Sequence, residues 1–220
     1  MIALSPEQAR HLHALRLKAG AALELLLDEG PWQVDLTEIT QKNAQVRLVS
    51  PLHEVRESPI PLHACLPITS HLATWEDWLP PLVELGVTHI QPINYARSEA
   101  DLRRTMAKTE RWSRIIASAM EQSHRSHPPE LLPIQPFSAL LDWHIPQRWV
   151  AYEAAAGVAN PTLRMEALAF TCGPEGGITD EEFRALQQSG WLPVCLGRSI
   201  LRAATAPIAM MGAIQFQLNR

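Results

Sequence analysis

The chain has 220 residues, of which 46% are hydrophobic and 19% are charged, and its formal net charge is -4. This composition predicts one large or two small globular domains and excludes an intrinsically disordered chain. No stretch approaches the roughly 20 uninterrupted apolar residues of a membrane span, and no secretory signal is visible, so we expect a cytoplasmic protein. An acidic chain that binds nucleic acid needs a local basic patch.

The cysteines and histidines argue against a metal site. Cys65, Cys172 and Cys195 are an odd number without a C-x-x-C pair, which favours a reducing compartment and argues against structural zinc. Two close pairs of histidines lack partnering cysteine or aspartate residues. We therefore expect no metal.

Residues 1–57 are predicted to form a small β-rich domain. Pro6–Lys18 is predicted to be a short helix with Ser5 as its N-cap, and three strands follow at Ala22–Leu27, Trp32–Ile39 and Ala44–Val49. Because the chain starts almost at the helix, we expect no strand before it. Three antiparallel strands are too few to close a barrel, so an incomplete barrel is expected.

The polar stretch His53–Pro61 is interpreted as the linker to a second domain, residues 58–220. There strands alternate with helices, which predicts an α/β domain whose parallel sheet is covered on both faces. Pro80 and Pro81 are expected to shorten or kink one helix. The predicted strands are Leu62–Leu66, His89–Ile93, Trp149–Tyr152, Leu168–Cys172 and Leu192–Leu196. The predicted helices are Trp75–Leu85, Lys108–Ser123, Thr179–Gln188 and Pro207–Leu218.

Two strand exits in the second domain carry glycine-bearing loops. The chain runs from one strand into Gly173–Gly177 (Gly-Pro-Glu-Gly-Gly) and from another into Leu196–Arg202 (Leu-Gly-Arg-Ser-Ile-Leu-Arg). Ligands bind at the carboxyl ends of parallel strands, and glycine lets a backbone approach a ligand closely. We interpret the loops as leaving adjacent strands and sharing one ligand site. The alternative is that each loop is only a tight turn.

With these loops, the chain resembles the SPOUT superfamily of methyltransferases and, more narrowly, the ribosomal small-subunit methyltransferase E family. Five stretches carry the resemblance in order: His11-Leu12 through Leu15-Arg16 with Gly20; Glu84-Leu85-Gly86-Val87 followed by Ile90, Pro92, Arg97 and Ser98; Glu121-Gln122 with Arg125 and Pro129; Gly173–Gly177 with Glu181 or Glu182; and Leu196-Gly197-Arg198 with Ile200-Leu201-Arg202 and Thr205-Ala206.

The resemblance implies a SPOUT-type parallel sheet with a C-terminal trefoil knot, preceded by a PUA-like RNA-binding domain. It implies S-adenosylmethionine as the methyl donor, without a metal, and a homodimer whose active site lies near the subunit interface. The implied reaction is methylation of N3 of a uridine in small-subunit ribosomal RNA, with the RNA or the assembled subunit as partner and no membrane.

The resemblance also implies the site residues. Arg202, Arg125 and Arg198 are the catalytic candidates, because negative charge spreads over uridine O2 and O4 as N3 loses its proton. Glu121 is a candidate for orienting Arg125, and the alternative is a helix-surface ion pair of little energetic weight. RNA-binding candidates are Arg16, Arg97 and Arg125. The cofactor-binding candidates are Thr171, Cys172, Gly173, Pro174, Glu175, Gly176, Gly177, Leu196, Gly197, Arg198, Ile200 and Leu201.

The chain departs from the family pattern near the expected site. Ala204 stands where the family usually has a glutamate, and lysines expected at Pro81 and within Leu66–Thr69 are missing. These departures leave two alternatives open. One is a catalytically silent relative that binds RNA or a ribosome-assembly partner, and the other is a SPOUT methyltransferase with another substrate.

Overall fold

A computed structural model describes residues 1–27, 29–52, 57–99, 101–153 and 159–219. The chain divides into two compact units, residues 1–55 and 56–220. Residues 53–56 of the interpreted linker lie outside the described residues. Across the described ranges, no helix is long and apolar enough to cross a membrane.

The first unit contains a four-stranded antiparallel sheet. The strands are β1 (Ile2–Ala3), β2 (Ala22–Leu27), β3 (Gly30–Ile39) and β4 (Ala44–Pro51), in the order β1-β4-β3-β2. The expectation of no strand before the helix is wrong, because Ile2 pairs with β4. A two-residue strand has no periodicity from which the sequence could reveal it.

One helix of the first unit, α1 (Pro6–Ala14), begins as the sequence predicts. The Ser5 hydroxyl accepts a hydrogen bond from the Gln8 amide, and the Gln8 side chain accepts one from the Ser5 amide. This capping box satisfies two amides that a helix start leaves unpaired. The helix ends four residues earlier than predicted, and Arg16 adopts a left-handed conformation with φ of 57°.

The second unit is built on a parallel sheet, as predicted. Its strand order is β11-β9-β10-β5-β6-β7, and β8 also pairs with β6. The sequence missed β7 and β8, which have two residues each. The strands are β5 (Leu62–Pro67), β6 (His89–Asn94), β7 (Glu130–Leu131), β8 (Gln135–Pro136), β9 (Gln147–Ala151), β10 (Leu168–Thr171) and β11 (Leu192–Val194).

Helices cover both faces of this sheet, which confirms the expected layering. The helices are α2 (Leu72–Glu84), α3 (Leu102–Met106), α4 (Thr109–Ser123), α5 (Asp180–Gln188) and α6 (Ala206–Leu218), with a 3₁₀ helix at Phe137–Asp142. One apolar core joins the sheet to α2, α4 and α6. A second core joins the opposite face to α5 and the 3₁₀ helix.

Tertiary packing overrides the two prolines of α2. Of the two expected effects of Pro80 and Pro81, shortening or kinking the helix, the shortening is wrong, since α2 begins at Leu72 and runs through both of them to Glu84. Trp75 and Trp78 are fully buried in this helix, and Trp75 stacks on Trp112 of α4 with ring centroids 4.3 Å apart. Each buried indole removes a large apolar area from water, which offsets the backbone hydrogen bonds that the prolines lack.

A stacked histidine pair lies at the edge of the sheet where β5 and β6 begin. The rings of His63 and His89 are 4.0 Å apart, and the edge of Trp143 faces His63. His89 also lies 3.7 Å from Glu130 of β7, and Arg148 of β9 occupies the same row of the sheet. Burial, with a smaller contribution from His89, lowers the pKa of His63 to about 4.

We expect acid to destabilise the protein through His63. Unfolded His63 binds a proton near pH 6.5 and folded His63 only near pH 4, so between these values the unfolded chain holds more protons. The free energy of unfolding therefore falls as the pH falls, by up to about 1.4 kcal/mol per pH unit. Denaturant unfolding of His63→Gln across this range should show a shallower dependence. His13→Gln, an exposed control, should keep the wild-type slope; an unchanged slope in His63→Gln would contradict the assignment.

Candidate functional site

The carboxyl ends of β9, β10 and β11 meet at one edge of the sheet. The interpretation that the two glycine-bearing loops leave adjacent strands is wrong, because β9 lies between β10 and β11. Tyr152 and Glu153, which directly follow β9, therefore lie between the ends of the two strands that carry the loops. Strand order in parallel sheets depends on crossover connections and does not follow chain order.

A pocket opens at this edge beside the second loop. Its lining combines apolar side chains with polar groups. The lining residues are Ala151, Tyr152, Glu153, Val194, Leu196, Gly197, Ser199, Leu201 and Ala206. Among the cofactor candidates, this set includes Leu196, Gly197 and Leu201. Tyr152 and Glu153 were not predicted, although Tyr152 ends a predicted strand at the expected edge and Glu153 follows it. Ser199 lies within the predicted loop but was not a named candidate.

Gly197 leaves space in the pocket wall. Its φ is 148°, a conformation that favours glycine, and a Cβ added there would meet no atom within 4 Å. The neighbouring Arg198 and Ile200 do not line the pocket, and Ile200 is 79% exposed. The Arg202 side chain is exposed, and its carbonyl oxygen accepts hydrogen bonds from the amides at the start of α6.

Tyr152 forms an aromatic wall of the pocket. Its ring stacks on Phe183 of α5, with centroids 3.7 Å apart and planes 14° from parallel. Burial, followed by the nearby carboxylates of Asp180 and Glu153, raises the pKa of Tyr152. The phenol is therefore neutral at physiological pH and can donate or accept a hydrogen bond.

Thr171 and Cys172, which precede the other loop, point into the core. The Thr171 hydroxyl donates to the Cys65 carbonyl at 2.7 Å, so it accepts from the Tyr95 hydroxyl at 2.6 Å. Burial raises the pKa of Cys172 to about 12, so its thiol stays protonated. Thr171 and Cys172 are almost fully buried. Their side chains therefore support the loop, and their backbone groups are the parts available to a ligand.

The Gly-Pro-Glu-Gly-Gly loop needs glycine at two positions for different reasons. A Cβ at Gly173 would lie 2.9 Å from the backbone nitrogen of Ile178, which is closer than real contacts allow. Gly177 has φ of 75°, and its amide donates to the Pro174 carbonyl. Glu175 is exposed at the tip of this turn. None of these residues lines the pocket described above.

The segment after β6 braces this loop and the start of α5. Arg97 Nη1 donates to the Gly176 carbonyl at 2.8 Å. The buried Glu182 accepts from the Ala96 amide at 2.7 Å and from the Thr179 amide at 2.9 Å. Thr179 and Glu182 form a capping box at the start of α5. The contact of Glu182 with Ala96 was not predicted, since those residues lie 86 positions apart.

Arg125 lies in a buried ion pair that the sequence did not predict. Its Nε and Nη2 donate to Glu57, and its Nη1 donates to the carbonyls of Val83 and Val87. The interpretation that Glu121 orients Arg125 is therefore wrong. Burial by itself raises the pKa of Glu57, but hydrogen bonds from Arg125 and the next two backbone amides, with the arginine charge, hold it below its ordinary value.

The three RNA-binding candidates lie in different environments. Arg16 is exposed in the first unit, at the end of α1. Arg97 is exposed and bound to the glycine loop. The Arg125 side chain is only 3% exposed, and its donors are used inside the protein. As placed, Arg125 does not reach a ligand at the surface.

Over the part of the chain that the structure describes, no group of three or more His, Cys, Asp or Glu residues could hold a metal ion.

Comparison with known proteins connects this site to a reaction class. Residues 56–215 match the family model of the RNA methyltransferase domain, and residues 4–49 match that of the RNA methyltransferase PUA domain. The parallel α/β unit, its glycine loops and the preceding β unit therefore define an RNA methyltransferase of the SPOUT class with a PUA domain.

Individual relatives narrow the class. Ribosomal RNA small subunit methyltransferase E of Synechocystis is 30% identical over 99% of this chain and 74% of that protein. The Bacillus subtilis protein of the same name is 27% identical over 97% of this chain and 89% of its own length. A crystal structure of the Neisseria gonorrhoeae protein of that name, bound to S-adenosyl methionine, matches with a TM-score of 0.86 and 30% identity, covering 98% of this chain and 91% of that one. The chain belongs to the ribosomal RNA small subunit methyltransferase E family.

Proposed function

We propose that the protein transfers the methyl group of S-adenosylmethionine to N3 of a uridine in small-subunit ribosomal RNA. The observation that carries the proposal is the pocket at the carboxyl edge of the sheet, bounded by Tyr152, Glu153 and the open space beside Gly197. The similarity to the Neisseria protein, whose structure holds S-adenosyl methionine, supports this choice of cofactor.

The residues that line the pocket offer the kinds of group that the cofactor needs. Ala151, Val194 and Leu201 offer an apolar surface to an adenine ring, and Glu153 and Ser199 offer polar groups to the ribose and the amino acid part. When bound, the cofactor supplies an electrophilic methyl group on a positively charged sulfur. The trefoil knot implied by the resemblance, and the binding roles of Thr171–Gly177, Arg198 and Ile200, belong to this proposal.

The proposed chemistry needs charge stabilisation and a proton acceptor. N3 of uridine attacks as it loses its proton, and negative charge spreads onto O2 and O4. Arg198 and Arg202 are exposed cations of the second loop, and they are proposed to stabilise that charge. Glu153 is the carboxylate of the pocket wall and is proposed to receive the proton, directly or through water.

Arg125 has a different proposed role. Its guanidinium donates hydrogen bonds to Glu57 and to the carbonyls of Val83, near the end of α2, and Val87, ahead of β6. We therefore assign Arg125 a structural role at the sheet edge opposite the pocket. RNA contact is proposed for Arg16 and Arg97, which are exposed.

A homodimer is part of the proposal. The 13 residues of α6 are apolar except for Gln215 and Gln217, so apolar side chains surround the helix instead of forming one stripe. A helix of this kind is usually buried on all sides, and a second copy of the chain would cover it. The three cysteines are free, which suits the reducing cytoplasm in which small subunits assemble.

Cofactor binding and methyl transfer test the proposal in sequence. Calorimetry with S-adenosylhomocysteine is expected to show micromolar binding. Undermethylated small subunits should then gain a methyl group at N3 of one uridine, located by mass spectrometry. Arg202→Ala is expected to lower turnover by about 100-fold while changing the affinity for S-adenosylhomocysteine little, because it removes charge stabilisation at the acceptor. Absence of binding, or a methyl group on another atom, would contradict the proposal.

Ala204 supports one alternative, a silent relative that binds RNA or an assembly partner. Its side chain is exposed, and its carbonyl accepts a hydrogen bond from Trp78 Nε1 at 3.0 Å. Ala204→Glu therefore fits without a backbone shift and serves as the matched variant in the same assays. Cofactor binding without methyl transfer in the wild type, with transfer gained in Ala204→Glu, would establish the silent relative.

A further inference from the structure

We infer that solvent-accessible cations of α3, of the first half of α4 and of the turn between them form a surface that holds backbone phosphates of the substrate RNA on one side of the pocket edge. This α3–α4 basic surface consists of Arg103, Arg104, Lys108 and Arg114. The inference rests on the proposed function, because it assumes an RNA substrate, and it adds the place where that RNA lies on the second unit.

The charge of this segment contrasts with that of the chain. Residues 97–114 contain six cations and three acids, whereas the whole chain carries a net charge of -4. An acidic protein that binds RNA must concentrate its cations locally, because phosphate contacts supply most of the sequence-independent affinity. This segment is such a concentration.

The side chains of the surface face outward. Arg103, Arg104 and Arg114 are exposed and Lys108 is partly exposed. Arg104 lies 3.6 Å from Asp101, an exposed pair of little energetic weight that an RNA phosphate can replace. Arg111 is excluded from the surface because it pairs with Glu76 at 2.7 Å.

The fold places this surface at the edge that carries the pocket. Arg97, which precedes α3, is bonded to the glycine loop through Gly176, and the six residue-to-residue steps from Arg97 to Arg103 span at most about 21 Å. The other end of α4 lies at the opposite edge of the sheet, since Arg125 binds the carbonyl of Val87 ahead of β6. The cationic start of α4 therefore lies on the pocket side.

Apolar side chains lie among the cations. Met106 is 65% exposed and Leu102 is 39% exposed, both on α3. On α4, Trp112 and Ile116 are buried and hold the opposite side of the helix against the core. A partner that offers phosphates together with flat base surfaces matches this mixture, which favours a single-stranded stretch of RNA over a simple polyanion.

The test uses a charge-neutralised variant of the full-length protein. Arg103→Gln/Arg104→Gln/Lys108→Gln is titrated with an undermethylated small-subunit ribosomal RNA transcript by fluorescence anisotropy, over about 50 to 200 mM salt. Losing two or three phosphate contacts should reduce the slope of log affinity against log salt by about 1.5 to 3. Affinity at low salt should fall more than tenfold, and kcat/KM should fall with it, whereas kcat at saturating RNA and the affinity for S-adenosylhomocysteine should stay unchanged.

A matched control separates local contact from total charge. Arg164 is exposed and lies just before β10 at the opposite edge of the sheet, so Arg164→Gln removes one charge away from the pocket. Compared with Arg103→Gln or Lys108→Gln, it should leave the salt slope at the wild-type value. An equal loss in all three single variants would overturn the inference, because the effect would then come from net charge.

The remaining outcomes keep this inference distinct from the proposed function. Suppose that the wild-type protein binds and methylates RNA and that the triple variant keeps the wild-type affinity and salt slope. That result overturns the inferred role of the α3–α4 basic surface and leaves the proposed function unaffected. A triple variant with lower kcat at an unchanged salt slope also overturns that role. A wild-type protein that binds S-adenosylhomocysteine but neither binds nor methylates RNA overturns both.

Discussion

Replacing Arg125 by methionine is expected to lower the free energy of unfolding by about 3–5 kcal/mol. The substitution keeps an unbranched side chain but leaves Glu57 as a largely buried carboxylate without its cation. The Glu57 side chain is 14% exposed, so water cannot fully replace the guanidinium. The carbonyls of Val83 and Val87 also lose their donor.

Tryptophan fluorescence during denaturant unfolding measures this effect on the second unit, which contains Arg125. Six of the seven tryptophans lie in residues 56–220 and only Trp32 lies in the first unit, so the signal reports mainly the second unit. Glu57→Leu combined with Arg125→Met should recover much of the loss, because replacing both charges by apolar groups avoids the unpaired ion. A stable single variant with strongly reduced turnover would instead support the catalytic role that the family resemblance implies for Arg125.

Gly173→Ala is expected to weaken binding of S-adenosylhomocysteine by at least about tenfold. The new Cβ would lie 2.9 Å from the Ile178 amide nitrogen and 3.1 Å from the Gly177 carbonyl carbon, so the backbone of the loop has to move. Repacking of this kind costs about 1–3 kcal/mol, and 1.4 kcal/mol corresponds to a factor of ten in affinity. Calorimetry of the folded variant measures the loss.

Gly212→Ala provides the matched control. An added Cβ at Gly212 in α6 meets no atom of this chain within 4 Å, so cofactor affinity should stay within twofold of the wild type. Sedimentation of both variants shows whether the oligomeric state has changed. Wild-type affinity in Gly173→Ala would mean that the Gly-Pro-Glu-Gly-Gly loop is a turn without cofactor contacts.

Several features could be predicted because their causes are local. The spacing of Trp112, Ile116 and Ala119 indicates the buried side of α4. Thr179 and Glu182, which are three residues apart, indicate the start of α5. The alternation of strands and helices predicts the parallel sheet, and the position of the glycine-bearing loops directly after strands predicts that the pocket lies at the carboxyl edge.

Tertiary structure decided what depends on residues far apart in the chain. The insertion of β9 between β10 and β11 brought Tyr152 and Glu153 to the pocket, and no local pattern reports strand order. Glu57 and Arg125 are 68 positions apart, so nothing local distinguishes Arg125 from a solvent-exposed arginine. Its burial and its bond to Glu57 are what assign it a structural role. Periodicity and capping reflect interactions between residues a few positions apart in the chain. The partners of a buried charge, in contrast, are set only when distant elements pack together.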